Sequence, residues 1–420
     1  MIGLFFFRIM GAYQSRASTE KTTLTGASAN GKYVWASSSM QGWRSTMEDS
    51  DIVVTDYLGD PDMCLFGVFD GHGGASVAAC CQKYMASVLG SRPEFKSGDF
   101  PAALRAAFLH LDKQIRYPDG ISTLEVLLRN AEESHEFTDM APSQLPSAAA
   151  DFSVSNVPLH ELEKLPQMTS SAGSTAVVAL VKDGMIICAN AGDSRCVLSR
   201  KGVAFPLSDD HKPRNDLEYQ RIIRAGGFVS VDNRVQGSLA LSRALGDFDF
   251  KTHPSFPPEE QMVTALPDIQ TEPISSETDE FLILACDGLF EVQSWQSLVT
   301  FVHDRLLRGM DIKQILEDAL DASLGSIQGA QGSDNMTMQI ILLPTAACKW
   351  LLTEGAINKE KERLRPPSVE SPLDNHNLNH TSSIGSSSES EDTHATSDDS
   401  SSPSVTRSKR TLLEVSSSLE

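Results

Sequence analysis

Short apolar runs alternate with longer amphipathic stretches along most of this chain. The runs at residues 52–55, 175–181, 185–189, 281–285 and 339–343 are rich in β-branched and other apolar residues, and they predict strands. The stretches at residues 75–89, 102–115 and 312–322 predict helices. Because strands and helices interleave, the pattern indicates a mixed α and β domain.

Four aspartates stand at the ends of apolar runs. Asp70 and Asp287 end two of them, Asp193 follows a third, and Asp334 precedes a fourth. A carboxylate beside a buried strand is costly to desolvate unless it is paired or bound to a metal, so its recurrence indicates a metal site. Oxygen ligands favour hard cations such as Mg²⁺ or Mn²⁺, and converging carboxylates suit two ions that bridge a phosphate.

Each aspartate alone is weak evidence, because Asp-Gly is also a common hairpin-turn signal. The neighbouring residues change that balance. His72 stands two residues after Asp70, among glycines that let the backbone approach an anion. Upstream, Arg44 offers bidentate phosphate capture, and the acidic pair Glu48 and Asp49 follows it.

Several sequence blocks then occur in one characteristic order. They are GWRSTMED (42–49), VFDGHGG (68–74), SAGSTA (171–176), ANAGDSR (189–195), GSLALSRALGD (237–247), and CDGLF (286–290) followed by GSDNMT (332–337). In these blocks the chain resembles the metal-dependent protein serine/threonine phosphatases of the 2C type, from about residue 34 to about residue 344. The resemblance implies hydrolysis of phosphoserine and phosphothreonine on proteins.

The resemblance also implies a fold and a set of metal ligands. The family's fold is α+β, a four-layer α/β/β/α sandwich of two antiparallel sheets flanked by helices. Asp70 would bridge two Mn²⁺ or Mg²⁺ ions, and the Gly71 carbonyl, Asp287 and Asp334 would complete the protein ligands. Glu48 would hold metal-bound water.

Further roles carry over from the family to matching positions. Arg44 would grip the phosphate, and His72 is the candidate general acid for the departing oxygen, with a structural hydrogen bond as the alternative. Asp193 matches a position that can bind a weaker third ion together with an aspartate of the main site. Glu291 stands where the family more often has aspartate. Asp49 is either a ligand partner or a satisfied structural carboxylate.

Composition limits the alternatives. The formal net charge of −21 argues against nucleic acid as the main partner. The seven cysteines lie mostly in apolar segments without a Cys-x-x-Cys pair, so they are expected to be reduced and buried. Two other functions stay open, namely a non-catalytic scaffold of the same fold that binds phosphoproteins and a metal-dependent hydrolase of small phosphate esters.

The pattern divides the chain into an N-terminal extension (1–34), a catalytic domain (35–344) with an insert at about 117–168, and a tail (345–420). From about residue 366 the tail is serine-rich and expected to be disordered. Met10-Gly11 fits a myristoylation pattern if translation starts at Met10. We expect a cytoplasmic monomer that contacts membranes only if Gly11 is acylated; nuclear localisation stays open.

Overall fold

The computed structural model describes residues 13–117, 120–121 and 170–363. The acylation pattern at Gly11, most of the insert and the serine-rich tail lie outside these residues, so those expectations stay predictions. Within the described ranges, no helix is long and apolar enough to cross a membrane.

Two antiparallel sheets form the centre of the domain, with strands numbered in chain order. The larger sheet has the spatial order β1 (Tyr13–Ala27), β2 (Val34–Arg44), β14 (Met336–Leu342), β13 (Asp279–Ala285), β9 (Arg195–Arg200) and β10 (Val203–Pro206). The second has the order β12 (Asp268–Pro273), β8 (Met185–Ala191), β7 (Ala176–Lys182), β4 (Cys64–Phe69) and β3 (Ser50–Val54). A small third sheet joins β11 (Leu245–Gly246), β6 (Gly173–Ser174) and β5 (Gly71–His72).

Helices cover the outer faces of both large sheets. The helices are α1 (Ser76–Ser91), α2 (Pro93–Lys96), α3 (Phe100–Ile115), α4 (Asp216–Arg224), α5 (Asp287–Phe290), α6 (Trp295–Leu307), α7 (Ile312–Ser323) and α8 (Ala346–Arg363). Helix α4 is an exception, because its Ile222 packs in a separate small apolar cluster with Val235, Ala244 and Val263. Three 3₁₀ helices lie at Tyr57–Gly59, Phe248–Phe250 and Pro258–Glu260. Helices α1 and α3 contact the five-stranded sheet, whereas α6, α7 and α8 contact the six-stranded sheet. The expected four-layer sandwich is confirmed.

Strand β4 shows why the apolar runs are continuous rather than alternating. Cys64, Phe66 and Val68 point into the core between the two sheets, whereas Leu65 and Phe69 pack toward α1 and α3. Because both faces are buried, every position favours an apolar side chain. Burial of each large one contributes roughly 1.5–3 kcal/mol to the stability of the fold. The predicted strands and helices are all present, with boundaries within about three residues of those predicted.

Two segments that the sequence pattern assigns to the extension and the tail are parts of the folded domain. Strand β1 pairs with β2 along much of its length. Helix α8 buries Ala347, Cys348 and Leu351 against the six-stranded sheet and its helices. The folded unit therefore extends beyond residues 35–344 in both directions.

Candidate metal centre

Sheet register brings the chain segments that carry the aspartates to one edge of the sandwich. In the five-stranded sheet Val68 pairs with Val177 and Ala176 pairs with Ala191, so the end of β4 lies near the end of β8. In the six-stranded sheet Ala285 pairs with Met338, so β13 ends where β14 begins. Because the sheets pack face to face, Asp70, Asp193, Asp287 and Asp334 converge although they are far apart in sequence.

Asp70 lies among other carboxylates. Burial raises its pKa well above the ordinary range, and the charges of Asp49, Asp287, Asp334 and Asp193 raise it further. Two hydrogen bonds to Thr175, just before β7, fix the backbone of Asp70. The Asp70 N–H donates to the Thr175 hydroxyl (3.2 Å), and the Asp70 carbonyl accepts from the Thr175 N–H (2.9 Å). The Asp70 side chain is thus held among like charges.

Asp287 and Asp49 share that environment. Asp287 opens α5, and burial followed by the charges of Asp193, Asp334 and Glu291 raises its pKa well above the ordinary value. Burial raises the pKa of Asp49 to about 7, and the charge of Asp334 adds to that rise. A cation at this edge would relieve the repulsion among all of these groups.

The two carboxylate oxygens of Asp49 have different surroundings, which bears on whether this residue is a ligand partner or a structural carboxylate. Its Oδ2 accepts a hydrogen bond from the Thr337 hydroxyl (2.8 Å). Its Oδ1 is buried and has no hydrogen-bond partner among the described residues. A buried oxygen without a full hydrogen bond costs free energy, so Oδ2 is structural, whereas Oδ1 can face a cation or accept from its water; the thiol of Cys286 is the weak donor near this carboxylate.

A thiol also reaches this cluster. Within the described residues, one ligand atom each of Asp49, Asp70 and Cys286 lies within 4.8 Å of the other two. Burial and the neighbouring carboxylates raise the pKa of the Cys286 thiol well above its ordinary value, so it stays neutral. The charged donors are therefore carboxylate oxygens, and this set fits Mg²⁺ or Mn²⁺ better than soft metals.

Glu48 links the two loops that carry Asp70 and Asp334. Its carboxylate accepts from the Gly74 N–H (3.0 Å) and the Thr46 hydroxyl (2.7 Å), and its N–H donates to Asn335 Oδ1 (2.9 Å). A Cβ at Gly71 would lie 2.2 Å from the Glu48 carbonyl oxygen. Only glycine permits this approach, which places the Gly71 backbone at the site.

His72 has a partner that the sequence motifs did not reveal. Its Nε2 lies 2.8 Å from Oδ2 of Asp247, a buried residue at the end of the GSLALSRALGD block. Burial would lower the pKa of His72, but the hydrogen bond and charge of Asp247, together with the charges of Asp193 and Glu48, outweigh burial and raise it. A Cβ at Gly173 would lie 2.3 Å from Asp247 Oδ2 and 2.5 Å from His72 Nε2, so the contact requires a glycine there.

Two basic side chains reach the carboxylates from outside. Arg44 Nη2 donates to Asp334 Oδ2 (2.5 Å), and the guanidinium also lies above the ring of Tyr13. Lys212 Nζ donates to Oδ2 of Asp193, the residue expected to hold a third ion. Asp193 is therefore already paired with an ammonium group, which the sequence analysis did not anticipate.

The structure thus brings together every predicted site residue. Asp70, Asp287 and Asp334 form a cluster of electrostatically coupled carboxylates, and Glu48 and Gly71 lie on the loops beside it. The remaining predicted residues, Asp193, His72 and Arg44, surround that cluster. Asp247 and Lys212 were missed, because their partners are distant in sequence and neither belongs to a recognised ligand pattern. The only available signal was their position within or beside the shared sequence blocks.

Comparison with known proteins agrees with this geometry. The family model for Protein phosphatase 2C matches residues 33–127 and 121–324. The relative Probable protein phosphatase 2C 21 from Arabidopsis thaliana is 40% identical over 336 residues, covering 79% of this chain and 92% of the relative. Protein phosphatase 2C homolog 2 from Schizosaccharomyces pombe is 38% identical over 311 residues, covering 72% of this chain and 71% of the relative.

Solved structures match the same fold. The crystal structure of a phosphatase from a pathogenic strain of Toxoplasma gondii has a TM-score of 0.55 at 25% identity, covering 77% of this chain and 96% of that chain. A serine-threonine phosphatase 2C from Toxoplasma gondii has a TM-score of 0.53 at 19% identity and supports the fold, covering 77% and 99% of the two chains. Fold and site together define a metal-dependent protein phosphatase. The chain belongs to the protein phosphatase 2C family, whose members act on phosphoserine and phosphothreonine.

Proposed function

We propose that this chain hydrolyses phosphoserine and phosphothreonine with two Mn²⁺ or Mg²⁺ ions held by Asp70, the Gly71 carbonyl, Asp287 and Asp334. The observation that carries this proposal is the cluster of mutually repelling carboxylates, which includes a buried Asp49 oxygen without a partner. When bound, such a pair of ions supplies an activated water and neutralises charge on the phosphoryl oxygens.

The protein's own side chains complete the reaction. Arg44 presents guanidinium donors to the phosphate oxygens and orients the phosphoryl group for in-line attack. His72 donates a proton to the serine or threonine oxygen as the P–O bond breaks. Asp247 accepts a hydrogen bond from His72 and holds the ring, which favours the protonated form. Glu48 is fixed by three hydrogen bonds, so it orients water in the site without moving.

The alternatives have less support. A non-catalytic scaffold would lack part of the ligand set, whereas this sequence carries the expected residue at every ligand position. A hydrolase of small esters or nucleic acids would need a surface that attracts polyanions, and a net charge of −21 opposes that.

We expect Mn²⁺- or Mg²⁺-dependent turnover of phosphoserine and phosphothreonine peptides by the full-length protein. Activity on phosphotyrosine peptides and nucleotides should be at least about tenfold lower in kcat/KM, and a chelator should abolish all of it. The measurement is phosphate release across this substrate panel with Mn²⁺, Mg²⁺ or chelator. Equal activity on nucleotides and phosphopeptides would favour the small-ester function, and chelator-resistant activity would contradict the metal requirement.

The Lys212–Asp193 pair predicts weak binding of any third ion. Lys212→Gln removes the ammonium from Asp193, so we expect third-ion affinity to rise at least about tenfold, and more than the affinity for the other two ions, since Lys212 acts on Asp287 as well. Mn²⁺ titration calorimetry measures the stoichiometry and affinity directly. Lys201→Gln, on an exposed turn, is the matched control. An unchanged third-ion affinity would mean that Lys212 does not compete for this position.

A further inference from the structure

The N-terminal strand reaches the phosphate-binding arginine. Tyr13, the first residue of β1, pairs in register with Arg44, the last residue of β2. The Arg44 guanidinium carbon lies 5.6 Å from the centroid of the Tyr13 ring, within the range of a cation–π contact. A segment that the sequence pattern assigned to an extension therefore contacts a residue of the proposed site.

The next residue of β1 holds the backbone of the same arginine. The Arg44 carbonyl accepts from the side-chain amides of Gln14 (3.0 Å) and Gln41 (2.9 Å). These bonds fix the direction in which the Arg44 side chain leaves the sheet. The Tyr13 ring thus restrains the guanidinium of Arg44, and the Gln14 amide restrains its backbone.

Asp334 also restrains Arg44, and it is an expected metal ligand. A carboxylate that faces cations attracts a guanidinium less strongly, so this ion pair weakens as the site fills. The Tyr13 and Gln14 contacts do not depend on the metal. These two contacts can therefore still hold Arg44 when metal is bound and phosphate enters the site.

Tyr13 also faces the open side of the site. It lines a cleft of about 360 Å³ together with Arg44, Glu291, Ser333 and Asp334. Tyr13 is only partly buried, so its ring can contact the guanidinium at the mouth of the cleft. This placement differs from that of a residue that serves only to pack the strand.

We propose that Tyr13 and Gln14 are positioning residues that hold Arg44 in its phosphate-binding orientation, so that the N-terminal strand forms part of the active site. This inference rests on the proposed role of Arg44 in binding phosphate. The ring of Tyr13 supplies the contact and its hydroxyl is not required.

The test uses the full-length, Mn²⁺-loaded protein and inorganic phosphate as the probe. Binding is measured by calorimetry, together with kcat and KM on a phosphoserine peptide. Tyr13→Ala should weaken phosphate binding about 3- to 10-fold and raise KM more than it lowers kcat. Tyr13→Phe should stay near wild type, and Gln14→Ala should show a smaller loss of the same kind.

A double-mutant cycle separates positioning from general loosening of the strand. In an Arg44→Ala background, Tyr13→Ala should cause no further loss of phosphate affinity, because no guanidinium remains to be held. Lys21→Ala is the control on the same strand; Lys21 lies opposite Met40, about 13 Å from Arg44 along β2, and pairs with Asp321. It should leave phosphate affinity unchanged. If Tyr13→Ala unfolds, Tyr13→Leu keeps the apolar bulk without the π face and serves in its place.

The outcomes separate the positioning role of Tyr13 from the phosphate-binding role of Arg44. If Arg44→Ala weakens phosphate binding but Tyr13→Ala and Tyr13→Leu do not, the positioning role is wrong and the proposed function stands. Additive losses in the double mutant would also overturn the positioning role. If Arg44→Ala itself leaves phosphate affinity unchanged, the phosphate role of Arg44 falls, and the inference about Tyr13 falls with it.

Discussion

Asp287→Asn should lower phosphopeptide turnover at least about 1000-fold and, without metal, make the protein more stable. The loss of turnover follows because a charged ligand disappears from the proposed two-ion site. The stability gain follows because folding raises the pKa of Asp287 above its unfolded value. Ionisation of such a group destabilises the folded state as pH rises above about 4, and at neutral pH asparagine removes that repulsion.

Thermal melts with and without Mn²⁺ measure the second effect. The metal-free variant should melt at least about 2 °C above metal-free wild type, which corresponds to roughly 1 kcal/mol for a domain of this size. Saturating Mn²⁺ should stabilise wild type more than the variant, because the variant binds ions more weakly.

Asp70→Asn should behave like Asp287→Asn, since burial and the charges of Asp193 and Asp334 raise the pKa of both carboxyl groups. The matched control is Asp304→Asn, which makes the same chemical change on the exposed face of α6. Full turnover by either folded site variant would rule out the two-ion arrangement. A metal-free variant less stable than wild type would show that the carboxylates are not in net repulsion.

His72→Ala should produce a different defect, one that depends on the leaving group. A serine alkoxide is a poor leaving group and needs a proton, whereas an activated aryl phenolate departs without one. We expect a loss on the order of 10²- to 10³-fold in kcat on a phosphoserine peptide. The loss on an activated aryl phosphate should be less than about tenfold.

Asp247→Asn tests the partner of His72 in the same assay. The amide keeps the shape of the side chain but removes the charge that favours protonated His72, so the same substrate-dependent loss should appear at about tenfold. Asp287→Asn is the contrasting control, since it should damage both substrates alike. Equal losses for His72→Ala on the two substrates would move the histidine from proton donation to positioning of phosphate or metal.

The sequence by itself determined the main elements and most of the candidate ligands. Strand β4 illustrates this, because six consecutive buried positions leave only one class of side chain acceptable, and the aspartate that follows stands out. The same reasoning marked Asp287 and Asp334 beside their strands. These residues can be predicted from sequence because burial and desolvation act on the residue and its immediate neighbours in sequence.

The tertiary structure decided which distant groups meet. Strand β1 is polar and only partly buried, so no hydrophobic pattern revealed it, and its place in the sheet comes from backbone pairing with β2. Asp247 reaches His72 across 175 residues, and Arg44 reaches Asp334 across 290. Periodicity encodes which face of an element is buried, but it does not encode register or the packing of two sheets, and those set the partners of His72, Asp193 and Arg44.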